Sequence, residues 1–344
     1  MPAPTLPSVR QWNTFFITRG IDEATAKAYL AYIRPLLKNR VPVIFDREHL
    51  AKLLGRTEHY LAAASFAPEF FYRDFTIPKR AGGKREIRAP YVSLLECQRW
   101  INDNILSAMV PHACATGYVI GRSIRDHASP HVNADFVLTI DLENFFPSIK
   151  FSRVLSIFRG LGYSAQVSSS LAKLCCLDNA LPQGAPTSPS LSNIVCRRLD
   201  EKLEDMSSEV GLRYTRYADD MCFSGAAIRK ITLSKVEKIV CSEGFRIKKA
   251  KTHLHTPQSN LKLVTGINVA LGKLSLPKPY KRAISTDLYH IEKHGLRSHL
   301  AKKKIRDPSY LETLLGKVGY WLFIEPENSH AQHYQRVLKR FIDP

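Results

Sequence analysis

The chain has 344 residues, 44% of them hydrophobic, which suffices for one large core or several smaller ones. Fifty lysines and arginines stand against 31 aspartates and glutamates, and the resulting formal charge of +19 points to a polyanionic partner. The sequence has no long apolar run that would span a membrane and no basic-then-apolar secretory signal at its N-terminus; its seven cysteines form no CxxC pair, so a reduced, cytoplasmic protein without a membrane partner is expected.

The first 70 residues predict helices. "DEATAKAYLAYIRPLL" opens on Asp22 as N-cap and sets Ala26, Tyr29, Leu30 and Ile33 on one face; "DREHLAKLLGRTEHYLAAA" repeats the pattern from Asp46. "FYRDFTIPKRAGGKREIRAP" predicts two strands joined at a basic Gly-Gly turn. "SLLECQRWINDNILSAMV" is an amphipathic helix, "DFVLTIDLENFFPSI" contains an apolar strand ending at Asp141, and "SRVLSIFRGLG" is a helix. "SPSLSNIVCRRLDEKLEDMSSEVG" predicts one long helix with Ser188 as N-cap and Pro189 at the first position. "LRYTRYADDMCFSG" alternates as a hairpin, "LSKVEKIVCSEGF" is helical, "LKLVTGINV" and "KLSLPK" are short strands, and a basic helical tail follows. The result is an α+β layer with helices on one face of an antiparallel sheet. "HASPH" and "HIEKH" carry histidines at the i, i+4 spacing of a helical metal site, but neither has a set of Cys or Glu companions and Pro130 interrupts the first, so zinc is not expected.

An Asp-Asp pair alone reads as a solvated turn. Here Asp219–Asp220 is closely flanked by apolar and aromatic residues in a strongly basic chain, and Asp141 ends a separate apolar strand where a charge is costly unless a cation meets it. Three carboxylates converging from two strand ends make a site for hard divalent cations such as Mg²⁺, and two such ions can activate an attacking hydroxyl and stabilise a leaving phosphate oxygen. Because strand neighbours face opposite ways, Asp219 is expected to share the metals with Asp141 and Asp220 to lie more peripherally.

"YADD", with "IDLENFF" upstream and "LPQGAPTSPSLSN" between, resembles the polymerase core of reverse transcriptases over roughly residues 70–270. The resemblance implies a right hand: an N-terminal helical region (1–70), fingers (71–135), palm (136–262) and basic thumb (263–344). It makes Asp141, Asp219 and Asp220 the metal-binding triad, with two Mg²⁺ as cofactors. It places Phe146 as a steric gate favouring dNTPs, the alternative being core packing. Gln183 and Gly184 would contact the incoming nucleotide; Lys79 and Arg85 would contact its triphosphate, or be a solvated hairpin tip. Lys251 would be the general acid at the leaving pyrophosphate, or a surface lysine. Within the family the chain resembles the bacterial retron enzymes: Val264, Thr265 and Gly266 match their "VTG", and "HASPH" matches their Asn-Ala-x-x-His with His127 in place of asparagine and His131 kept. About 80 residues follow the core, which leaves no room for an RNase H or maturase region.

The resemblance implies that the tail, with Lys302, Lys303 and Lys304, grips a structured stem of a cognate non-coding RNA; basic runs track phosphates and aromatics stack on unpaired bases. Its alternative is a solvated helical face around a small core holding Tyr320 and Trp321. A retron enzyme would copy part of that RNA into short DNA from a guanosine 2′-hydroxyl, and its RNA–DNA product and an effector protein would act in anti-phage defence. The rivals are another stand-alone bacterial reverse transcriptase, of diversity-generating or group II intron type, and an RNA-binding scaffold with an idle site.

Overall fold

The computed structural model describes residues 6–78 and 82–342. In chain order the elements are α1 (Val9–Thr18), α2 (Glu23–Lys38), α3 (Arg47–Leu53), α4 (Glu58–Phe66), β1 (Tyr72–Pro78), β2 (Lys84–Pro90), α5 (Val92–Asn104), α6 (Ile124–Ala128), β3 (Phe136–Asp141), α7 (Phe145–Ser148), α8 (Phe151–Gly160), α9 (Ala165–Cys175), α10 (Thr187–Val195) and α11 (Arg197–Glu209). They continue with β4 (Arg213–Tyr217), β5 (Asp220–Gly225), α12 (Lys230–Ser242), β6 (His253–His255), β7 (Leu263–Val264), β8 (Ile267–Asn268), α13 (Lys278–His294), α14 (Leu296–Lys303), α15 (Tyr310–Ile324) and α16 (Ser329–Ile342). Two compact units result: Met1–Ile120 with Leu142–Leu203 and Ser234–Lys248, and Gly121–Asp141 with Glu204–Leu233 and Lys249–Pro344.

In the first unit, the side chains of Asp22 and Asp46 cap α2 and α3 by accepting from the amides of Thr25 and His49, as the sequence predicts. The single helix expected from Asp46 is instead two. Gly55 takes a left-handed φ of +62° after α3, and Thr57 caps α4 by accepting from the Tyr60 amide. The long helix expected from Ser188 is likewise divided, into α10 and α11 at Cys196, and starts at Thr187. Ser188 is buried and donates its hydroxyl to the Pro182 carbonyl (2.7 Å) rather than capping. Helix α9 packs on α3, α4, α5 and α8. It buries Val167, Leu171 and Leu174, each side chain contributing about 2 kcal/mol of apolar burial. Gln98 of α5 donates to both Tyr72 Oη and the Leu174 carbonyl (2.7 Å each), tying the base of the β1–β2 hairpin to α9.

The second unit holds an antiparallel sheet in the order β4-β5-β3-β6. Register decides what its faces carry. Leu138, Ile140, Tyr214, Arg216, Met221 and Phe223 share one face and are all buried. Val137, Thr139, Asp141, Thr215, Tyr217, Asp220, Cys222 and Ser224 share the other. There Val137 and Cys222 enter a core with Ala128, Val264 and Ile267, and with Leu288, Leu314, Val318, Trp321 and Leu338 of the C-terminal helices. Trp321 therefore belongs to the core. No helix among the described residues is long and apolar enough to cross a membrane.

Candidate active site

The apolar run of β3 brings Asp141 to the sheet end, and register sets it directly opposite Asp220, the first residue of β5. Tyr217 pairs with Asp220, leaving Ala218 and Asp219 as a two-residue turn. Ala218 has φ +57° and Asp219 has no positive φ, the pattern of a II′ turn, which matches the twist of its flanking strands and usually has glycine first. The two aspartates are inequivalent: Asp219 sits in the turn, outside the strand alternation on which the expectation was based, whereas Asp220 pairs with Asp141 across the strands.

Burial, then Asp219, then Asp141 push the Asp220 carboxyl up to about 7. Lys251, in a one-turn helix at 249–251, donates Nζ to Asp141 Oδ2 at 2.6 Å, and that hydrogen bond raises its own pKa. The cluster is thus three carboxylates and one ammonium. Its metal-facing donors are all carboxylate oxygens, and clustered, partly buried negative charge is what a divalent cation would neutralise, so the residues fit such an ion.

The nucleotide-side residues belong to the first unit, where three segments are stitched together. The Leu181 amide donates to Ile149 O and the Phe151 amide to Asn179 O (3.0 Å each), tying the "LPQG" loop to the segment bearing Phe146. The Arg88 amide of β2 donates to Gln183 O (2.9 Å), tying that loop to the strand bearing Arg85. Gly184 lies so close to β2 that an added Cβ would stand 2.7 Å from the Arg88 carbonyl, at a φ of +136°. The Arg88 side chain is itself held by Asp74 and Asp178. Phe146 is half-buried beside Phe145 and Tyr118, with ring centroids 5.4 and 6.2 Å away. Arg85 is exposed opposite Ile77, and Lys79 lies outside the described residues.

Several expected RNA contacts have other places. His127 and His131 are fully buried and bonded to hydroxyls of the hairpin that carries the aspartates, so neither ring is open to RNA. Val264 is core; Thr265 and Gly266 form the β7–β8 turn at φ +47° and +83°, leaving Gly266 as the exposed member of the triplet. Lys302, Lys303 and Lys304 are exposed at the end of α14, with Lys303 paired to Asp287. Sequence reasoning missed Thr215, Arg216, Ser224 and Arg88. The alternation of "RYTRYADD" does place Thr215 on the face of Tyr217, but the partners of these residues come from distant segments.

The family model of reverse transcriptases (RNA-dependent DNA polymerases) matches residues 77–269. The chain is 35% identical to the retron Ec86 reverse transcriptase of Escherichia coli, over 73% of this chain and 79% of the relative. It is 33% identical to the retron Mx162 reverse transcriptase of Myxococcus xanthus, over 85% of this chain and 67% of the relative. A telomerase structure from Candida tropicalis aligns with a TM-score of 0.42 at 14% identity, over 62% of this chain and 56% of that one. Reverse transcriptase domains generally use divalent metal ions, template on RNA and have the right-hand fold of fingers, palm and thumb. With the paired strands, the carboxylates at their end and these relatives in view, the chain belongs to the retron reverse transcriptases, a family of RNA-directed DNA polymerases.

Proposed function

We propose that this enzyme copies part of a cognate structured non-coding RNA into a short single-stranded DNA, starting from a guanosine 2′-hydroxyl of that RNA and yielding a branched RNA–DNA molecule. The observation that carries the reading is the convergence of Asp141, Asp219 and Asp220 with Lys251 at one end of the sheet, in a chain of this family. The three carboxylates would hold two Mg²⁺, which activate the priming hydroxyl and stabilise the leaving oxygen. In each addition the hydroxyl oxygen bonds to the α-phosphorus of a dNTP as the bond to pyrophosphate breaks. Lys251, which donates to Asp141, would release it and give a proton to the departing pyrophosphate. Phe146 would exclude a ribose 2′-hydroxyl, Gln183 and Gly184 would seat the nucleotide, and Lys79 and Arg85 would meet its triphosphate. Exposed Lys302, Lys303 and Lys304 would follow RNA phosphates in the thumb (263–344). We further read the product as working with an effector protein in anti-phage defence, and the seven cysteines, none in a disulfide among the described residues, as suited to the reducing cytoplasm.

The test is to express the gene with its flanking DNA, extract small nucleic acids, and treat them with RNase or DNase before a denaturing gel. A discrete short DNA with an RNase-sensitive branch, lost in Asp219→Ala/Asp220→Ala, is expected. Absence of that DNA, with incorporation on an added primer intact, would overturn the priming and template reading while leaving the polymerase.

A further inference from the structure

On the sheet face of the candidate catalytic carboxylates lies a group of four buried polar side chains, in which only the His127 Nε2 lacks a hydrogen-bond partner. His131 bridges the two strands of the hairpin: its Nδ1 lies 2.7 Å from Ser224 Oγ on β5 and its Nε2 lies 2.7 Å from Thr215 Oγ1 on β4. His127 Nδ1 meets the same Thr215 oxygen at 2.7 Å, and the Thr215 hydroxyl also reaches the His127 carbonyl at 3.2 Å. One proton assignment serves every one of these contacts. Ser224 O–H donates to His131 Nδ1, His131 Nε2–H and His127 Nδ1–H both donate to Thr215 Oγ1, and Thr215 O–H donates to the His127 carbonyl. Both rings are then neutral, in line with burial pulling both imidazoles down to about 3.

The location gives this group its meaning. Thr215 and Ser224 lie on the sheet face that carries Asp141 and Asp220. Thr215 is four residues before Asp219, and the His127 ring packs on Tyr217 (centroids 6.0 Å), which pairs directly with Asp220. The turn these strands hold contains Ala218 in a left-handed conformation that a residue with a Cβ adopts only under constraint. A two-residue turn at a sheet end has no neighbouring strand to fix it, so buried bonds across its base are what set the carboxylates' position.

We infer that His127, His131, Thr215 and Ser224 are positioning residues that hold the Asp219–Asp220 turn in register with Asp141 for metal binding. The inference rests on the reading of those aspartates as the metal site. An asparagine at this position would carry an amide N–H able to donate to Thr215 in place of Nδ1. The requirement at this position is a donor at that atom, not an imidazole.

The test uses the full chain with an RNA template–primer and measures its Kd, kcat for dNTP addition and the Mg²⁺ concentration for half-maximal rate. Thr215→Val removes the hydroxyl without changing volume, His127→Leu removes the donor, and His127→Asn keeps it. Thr215→Val and His127→Leu are expected to lower kcat by about 10- to 100-fold and to raise the Mg²⁺ requirement, with the template–primer Kd unchanged. His127→Asn should recover most of the loss, and the effects of Thr215→Val and His127→Leu should not add in the double variant. A raised Kd with unchanged kcat would make these residues RNA contacts and overturn the inference. So would a kcat loss that leaves the Mg²⁺ requirement unmoved, or His127→Asn behaving like His127→Leu. Asp219→Ala is run alongside: activity surviving there sinks the metal-site reading itself, whereas activity lost there but unmoved by Thr215→Val overturns only the positioning role.

Discussion

Two regions of the second unit use charge in opposite ways. At the sheet end, acidic groups sit partly buried, each held by register, a tight turn or a named bond, and burial followed by the neighbouring carboxylates pushes Asp220 up to about 7. At the end of α14, Lys302, Lys303 and Lys304 stand in solvent, and only Lys303 has a described ion-pair partner, Asp287. A buried, fixed constellation depends on every member, so single changes should be severe. An exposed run acts through summed potential, so single changes should be mild and sensitive to salt.

The largest effect expected is at the turn: Asp219→Ala or Asp220→Ala should lower dNTP incorporation by at least about 10³-fold without weakening RNA binding. A small residual defect would erase the contrast with the lysines. Gly184→Ala comes next, in the first unit. Its Cβ would collide with the Arg88 carbonyl at 2.7 Å, so denaturant unfolding should show a loss of about 2–3 kcal/mol, with activity falling as well.

Metal and pH give a third, intermediate effect. Asp220 in the folded, metal-free protein holds its proton up to about 7, whereas an unfolded aspartate releases it near 4. Between those values the native state binds more protons than the unfolded state, so metal-free stability should fall as pH rises and level off above about 7. Added Mg²⁺ should remove that cost, and the gap in Tm between Mg²⁺ and EDTA should widen by several degrees from pH 5 to pH 8. A gap constant with pH would mean that the ion does not meet Asp220.

The smallest effects should lie in the thumb. Lys302→Ala and Lys304→Ala should each weaken RNA binding modestly and flatten the logarithmic salt dependence by about one unit, and Lys303→Ala by less, since Asp287 already holds it. A salt slope unchanged in all three would place the RNA elsewhere.

What the sequence disclosed follows the range of the forces involved. Asp22 and Asp46 were legible as caps because a cap is a bond to a residue three positions on. Asp141 was legible because an apolar run that ends in a carboxylate is costly without a purpose. The breaks at Gly55 and Cys196 were harder, since the apolar periodicity continues through both. The histidines show the limit most plainly. The i, i+4 spacing is the same in His127/His131 and His290/His294, yet His131 is bonded to residues 84 and 93 positions away, while His290 and His294 stack on each other along α13. Pro130 marks the first pair as unlike a regular helical one, but nothing local names its distant partners. Val264 likewise matched a motif expected to face RNA and is instead core, because its partners come from helices of the C-terminal tail.

The most direct test of the carboxylate cluster as the catalytic centre is single-turnover dNTP addition on an RNA template–primer. Wild type would be compared with Asp141→Asn, Asp219→Asn and Asp220→Asn, with template–primer binding measured on the same samples. The expected result is binding within about twofold of wild type and addition reduced by at least about 10³-fold in Asp141→Asn and Asp219→Asn, with Asp220→Asn also impaired. Addition at wild-type rate in Asp141→Asn or Asp219→Asn, with binding intact, would contradict the account.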